Sequence, residues 1–274
     1  DFLPTNNTKY IACMIVLFSP VMTSEVWLNS LNAMSYLGIL SFFILLESSH
    51  SSIFKKINFI FLFISGLSGF YSSGLLPLFF IKYIYYRTKT NLLNFIIILF
   101  TAVIQISLAF ISTVNNEITS ERFYLGSEKI INYIYNVILK ALFGREILQS
   151  IMSFVNLNFL IFVSLLFVSI LFIYLFKFLI TKKDYALRMI VLAFIIESFI
   201  ILIGSAYKDS VGGRYQVVSG VIFSFIFLRL YLLENNKIKK FLSGSIILFF
   251  LTIGFVEFKY NALYPEFLSC IECP

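Results

Sequence analysis

Apolar runs long enough to cross a bilayer recur along the chain at 92–112, 157–180, 187–204, 217–233 and 241–258. Each is close to the roughly 20 residues that a helix needs to span about 30 Å of hydrocarbon. A run at 31–46 is shorter but of the same character. Another, at 10–22, is apolar for only about 13 residues and crosses only if it continues through Leu28. Segment 57–81 has the length of one span but is interrupted by Gly66, Gly69, Gly74 and Pro77. The pattern predicts an all-α fold: a polytopic transmembrane helical bundle of about seven spans in one integral membrane domain over 1–274.

The polar residues between these runs orient them. Lys82, Arg87 and Lys89 form one basic cluster; Lys177, Lys182, Lys183 and Arg188 a second; Arg229, Lys237, Lys239 and Lys240 a third. Cytoplasmic loops carry the excess of Lys and Arg, so all three are placed inside. The intervening loops, with Glu117, Glu121, Glu128 and Asp209, then lie outside. Lys55 and Lys56 precede the interrupted segment and Lys82 follows it. With both flanks inside, 57–81 becomes a re-entrant hairpin that bends at the Gly69–Gly74 turn, since glycine tolerates tight turns. Two full crossings need about 40 residues and do not fit. A single crossing is the alternative and would invert everything upstream. Under the hairpin, 21–30, 113–151 and 205–216 share the external face. Within that loop, 129–145 reads as an interfacial helix: Lys129, Asn132, Asn136 and Lys140 mark one face, Ile130, Ile131, Ile134, Ile138 and Leu142 the other.

Composition agrees with the pattern. The chain is 59% hydrophobic, 19% aromatic and only 13% charged, with a mean hydropathy of +0.93, against about 25% charge in soluble domains. This excludes a cytosolic enzyme, a disordered tail and a small disulfide scaffold. The net charge of +7 follows from the loop clusters, and no motif points to a nucleic-acid partner. The chain opens at Asp1 without an initiator Met and stops close behind a membrane segment, as expected of a fragment of a longer protein. Cys13 reads as a small packing residue in an apolar run. Cys270-Ile-Glu-Cys273 lacks a second ligand pair, which favours an incidental or simple disulfide role over zinc. Asn6-Asn7-Thr8 is formally a glycosylation acceptor but falls on the cytoplasmic side.

Two polar clusters are candidates for chemistry. Glu25, Asn29, Asn32 and Tyr36 are spaced by four, three and four, one stripe of a helix, with Thr23 and Ser24 as caps. A carboxylate, two amides and a phenol in a row suit a sugar's hydroxyl groups. The plainer reading is a polar helix end among headgroups, anchored by Trp27. The second is the short loop with Tyr207, Lys208, Asp209, Gly212, Gly213, Arg214 and Tyr215. Arginine's planar fork fits phosphate, and Lys208 adds a point charge; an ordinary polar turn with a snorkelling Arg is the alternative. Glu197 lies mid-span, where a carboxylate is costly unless protonated or paired. Its structural reading is a neutral acid bonded to a neighbouring helix, for instance to Gln105. Walker, dinucleotide and zinc-protease motifs are absent.

The string Pro20…Glu25-x-x-x-Asn29-x-x-Asn32, the segment Gly66…Gly69-Phe70…Pro77 and the pair Arg214-Tyr215 resemble a group of bacterial polytopic membrane proteins treated as glycosyltransferases of the C superfamily (GT-C). The likeness covers most of the chain through short motifs. It implies a multi-span fold with interfacial helices in external loops and a polyprenyl-phosphate-linked sugar donor. It also implies an acidic base in an early external loop, either ahead of Asp1 or within this chain, where Glu25 and Asp209 are the candidates. The expected function is then an inner-membrane (cell-envelope) glycosyltransferase acting on the external face. Glu25 binds or activates an acceptor hydroxyl, Asn29, Asn32 and Tyr36 hold sugar hydroxyls, and Lys208, Arg214 and Tyr215 receive the lipid-linked phosphate. Membrane lipid and the lipid-linked donor are the expected partners. No metal or cofactor is demanded, although a divalent cation can share the cationic role. The rival is a transporter or flippase-like permease built around the glycine-broken hairpin.

Overall fold

The computed structural model describes residues 2–18, 33–47, 52–114, 130–131, 133–134, 139, 143, 145–155, 157–182, 184–204 and 217–262. Among these the secondary structure is helical throughout, without a strand. In chain order the helices are α1 (Asn6–Leu17), α2 (Ala33–Leu46), α3 (Ser52–Ser68), α4 (Phe70–Gly74), α5 (Leu76–Tyr86) and α6 (Lys89–Val114). The remainder are α7 (Arg145–Phe154), α8 (Leu157–Lys182), α9 (Tyr185–Gly204), α10 (Val217–Leu233) and α11 (Lys237–Ala262). Three stretches, Lys89–Ser112, Tyr185–Leu202 and Lys237–Val256, are long and apolar enough to cross a membrane. Shorter apolar helices lie at Met34–Leu46, Lys56–Ser68, Val168–Thr181 and Val217–Leu233.

The centre is α10, which is apolar on every side and therefore has no face to offer water. Each residue from Val217 to Leu228 is buried, with α1, α2, α9 and α11 packed around it. Phe225 meets Phe42 and Phe43 of α2 and Phe2 of the N-terminus. Phe223 and Phe227 meet Phe250 of α11. On the outside, Phe100, Ile106 and Phe110 of α6 and Phe176 of α8 are exposed, the apolar surface that lipid would cover.

One end of the bundle collects Lys82, Arg229, Lys239 and Lys240. Arg229 of α10 bridges to Asp184 through two nitrogens, Nε to Oδ1 at 3.1 Å and Nη2 to Oδ2 at 2.8 Å, while Nη1 donates to the Phe2 carbonyl at 2.9 Å. Asp184 also accepts the Leu187 backbone N–H at 2.7 Å, which caps the start of α9. Tyr85 and Tyr86, at the end of α5, pack on Tyr185. Lys239 and Lys240 lie over the Tyr174 and Tyr231 rings. We call this the basic end.

Segment 52–86 leaves the basic end and returns to it. Asn58, near the start of α3, donates to Glu47 Oε2 at 2.6 Å. Lys82, in α5, donates to the carbonyls of Leu45 and Glu47 at 2.6 Å each and of Ile44 at 3.3 Å. Both arms therefore meet the last turn of α2, whose carbonyls have no intrahelical partner. Reading the sequence treated Lys82 as a loop cation; its ammonium instead caps α2. From Asn58 to Gly69 the helix rises only about 16 Å, and the tip meets α2 at Met34. The arms are fastened where they pass α2: Ser41, Ser65 and Ser72 bond to one another, and Ser65 also donates to the Leu37 carbonyl at 2.6 Å.

The glycines of this hairpin act mainly through close approach. A Cβ on Gly66 would lie 2.1 Å from Thr101 Oγ1, and one on Gly38 would lie 2.8 Å from the Tyr71 Cβ. Such contacts hold helices together where burial against lipid supplies no drive. Gly69 itself is extended, at φ 165°, a backbone open to any residue. The one positive φ at a non-glycine residue among the described residues is Arg87, at 48°, in the tight turn between α5 and α6.

Several expectations need correction. The first apolar run is helical over Asn6–Leu17, about 18 Å, and its expected continuation through Leu28 lies outside the described residues. Thr8 of the Asn6-Asn7-Thr8 sequence is buried in a capping box with Thr5. Cys13 is exposed on α1 instead of filling a packing gap. In the expected interfacial helix, Ile134 of the apolar face is buried, as is Tyr133, but Ile130 and Ile131 are exposed. Helix α7 follows, with Leu148 packed on Leu139, Phe143 and Ile151 in a small separate cluster.

Candidate functional site

At the end opposite the basic one, the described chain ends converge. Phe18, just past α1, packs on Phe255 of α11, and a Cβ on Gly254 would collide with the Phe18 carbonyl. Met34 opens α2 beside Gly69. Val218, opening α10, lies against Gly38 and hence at the same level. Helix α9 starts at Asp184, which the Arg229 bridge fixes at the basic end, and runs 20 residues, about 30 Å, to Gly204. The ends that flank 19–32 and 205–216 thus all lie at this far end.

Glu25, Asn29 and Asn32 fall in the first of those intervals and Lys208, Asp209, Arg214 and Tyr215 in the second; all lie outside the described residues, as do Cys270 and Cys273. Tyr36 is described, on α2, half-buried against the main core.

A second constellation lies deeper. Glu197 of α9 is completely buried, and neither carboxylate oxygen has a hydrogen-bond partner among the described residues. The partner expected from sequence, Gln105, points elsewhere: its Nε2 donates to the Leu67 carbonyl at 2.6 Å, at the hairpin tip. Glu197 instead faces the hairpin's second bend. A Cβ on Gly74 would lie 3.6 Å from Glu197 Oε1 and 1.9 Å from Ile200 Cδ1, so the backbone of the bend lies directly against that face of α9. Ser73 Oγ, one residue away, is likewise buried without a partner. Beside Glu197, the Tyr133 hydroxyl donates to Ser198, and Ser198 donates to the Phe194 carbonyl. Twelve residues of α9 separate Tyr185 from Glu197, about 18 Å from the basic end, close to the depth of the hairpin tip. Hydropathy marks Glu197 as unusual, but the glycine contact and Tyr133 come from elements that sequence spacing cannot bring together.

Outside the spans, Asp184 has a clear electrostatic bias. Burial works to raise its carboxyl, but the Arg229 bond, the Leu187 N–H and the Arg188 charge outweigh it and hold the group below the ordinary carboxylate range. Among the described residues no group of three or more His, Cys, Asp or Glu side chains is arranged to hold a metal ion. Compared with known protein families, with curated proteins and with solved structures, the chain matches none.

Proposed function

We propose that the protein is a glycosyltransferase of the bacterial cytoplasmic membrane that uses a polyprenyl-phosphate-linked sugar at the external face. The observation that carries the reading is the convergence at the far end. The described residues on either side of 19–32 and of 205–216 sit there together, away from the cationic end. On this reading a carboxylate and two amides (Glu25, Asn29, Asn32) and two cations (Lys208, Arg214) work together from intervals whose flanking residues share that end, with Tyr36 on α2. An acceptor hydroxyl needs a base, and a departing lipid phosphate needs positive charge; the two sets supply them from one side of the membrane. The topology that goes with it has about seven crossings, with 57–81 as a re-entrant hairpin whose flanks are both cytoplasmic. In membranes carrying the full-length protein, Arg214→Ala and Glu25→Gln should each abolish transfer from a polyprenyl-phosphate sugar while leaving insertion and melting temperature unchanged. Undiminished transfer in both variants refutes the assignment.

A second reading, a permease for a lipid-linked or small polar substrate, has its own support. Interrupted helices and embedded carboxylates line substrate paths in transporters, and here Glu197 lies against the bend at Gly74. Loss of function in Glu197→Gln and Gly74→Leu, with tolerance at Glu25 and Arg214, would favour it over the transferase.

A further inference from the structure

Glu197 raises a question that neither functional reading answers: what balances its charge. An ionised carboxylate in an apolar interior is strongly unfavourable without a partner. The described cations within the bundle are already engaged. Lys82 is held by three carbonyls of α2, and Arg229 by Asp184 and the Phe2 carbonyl; both lie at the basic end.

Among the described residues, the other titratable groups on elements packed against α9 are phenols, and most face away. Tyr71 lies on Gly38, Tyr83 on Phe95, Tyr231 on Gly244, and Tyr85 and Tyr86 on Tyr185. Tyr36 packs on the main core. Tyr133 is within electrostatic reach of Glu197, and a neutral phenol supplies no cation. What does border the carboxylate is the bend between α4 and α5, at the Cβ-free face of Gly74; the Ser73 hydroxyl in the same bend is buried without a hydrogen-bond partner among the described residues.

We propose that Glu197 and the hairpin bend at Ser73 and Gly74 form an internal proton-binding site. In this packing Glu197 is the neutral acid: a carboxylate oxygen has taken a proton from a hydronium ion, forming one O–H bond and releasing water. Release reverses the step and requires water to reach the oxygens, which the Gly74–Ile200 contact blocks. Proton exchange is therefore tied to separation of the hairpin from α9. This holds whether the protein transfers sugars or moves a solute, so its test can fail without touching either reading.

The test uses the full-length protein in lipid nanodiscs and dicyclohexylcarbodiimide, which modifies protonated carboxyls in apolar surroundings, with mass spectrometry of the Glu197 peptide. Glu197 should be modified at pH 7 while Asp184, held ionised by its bridge to Arg229, is not. G74V, which wedges the hairpin off α9, should speed modification at least threefold. E197Q, the neutral isostere, should melt within about 2 °C of wild type at pH 7. Failure of Glu197 to react at pH 6, or a fall of more than about 5 °C for E197Q, overturns the proposal. Protection by 100 mM sodium chloride at constant pH also overturns it, in favour of an alkali-cation site.

Discussion

Replacing Lys82 by methionine removes the ammonium that holds α5 to the end of α2 while keeping nearly the same side-chain length. Two of its three bonds are short, at 2.6 Å to the Leu45 and Glu47 carbonyls; the third, to Ile44, is 3.3 Å. Hydrogen bonds to charged groups contribute about 1.5–3 kcal/mol each, so the two short ones represent about 3–6 kcal/mol. Against that, wild type bears the desolvation of a buried ammonium, an effective penalty of several kcal/mol before its partners are counted. Methionine is free of this penalty but leaves the Leu45 carbonyl buried without a donor, at about 1–3 kcal/mol. The net loss works out at about 2–3 kcal/mol. At about 2–4 °C per kcal/mol for chains of 150–250 residues, the detergent-purified variant should melt about 5–10 °C lower. The exposed Lys237, changed to methionine, is the control and should shift by less than about 1 °C. If Lys82→Met and Lys237→Met melt alike, the capping argument is wrong, and with it the reason given for both hairpin arms meeting α2.

Three further outcomes are expected. With the native cysteines replaced, single cysteines at Lys56 and Arg87 should react with a membrane-impermeant maleimide from the same side; labelling from opposite sides would make 57–81 a single crossing. Gly66→Ala must push Thr101 away from a contact of 2.1 Å and should cost about 1–3 kcal/mol. Gly69→Ala, whose nearest contact would be 3.4 Å, should cost at most about 1 kcal/mol; equal melting temperatures would refute the close-packing account. Asp184 has a folded pKa below its unfolded value, so its stabilisation is present above about pH 4 and disappears as the pH falls through the lower, folded value. The melting-temperature gap between wild type and Asp184→Asn should therefore be wide at pH 6 and narrow progressively below pH 4; a gap that grows on acidification would contradict the bridge.

The helical class, the long apolar helices and the fold-back of 57–81 were legible because each is written in one dimension. Apolar length sets what can cross, and Lys55, Lys56 and Lys82 on both flanks of a glycine-broken segment favour a return over a single crossing. What could not be read depends on rotation of one helix about its axis relative to another. Gln105 and Glu197 are both polar groups in apolar runs and looked like natural partners, yet Gln105 turns to the Leu67 carbonyl. Ile130, Ile131 and Ile134 share the isoleucine-rich face drawn on a helical wheel, yet only Ile134 of the three is buried, together with Tyr133. Lys82 reads as a loop cation, because its acceptors are 35–38 residues away. The candidate site was legible only as two polar intervals; their common end emerged from contacts at Phe18, Met34 and Val218.

The bond from Arg229 to the Phe2 carbonyl spans 227 residues. It joins the first residues a ribosome would deliver from this stretch to nearly the last. Helix α1 packs on α10 and α11, so during synthesis it must wait at the membrane until both have been made. A nascent chain stalled before α10 would leave α1 without its neighbours, exposed to whatever surveys unassembled helices. Closure of α1 onto the bundle is thus a late event, governed by the synthesis of α10 and α11 more than by the order in which the earlier spans are inserted.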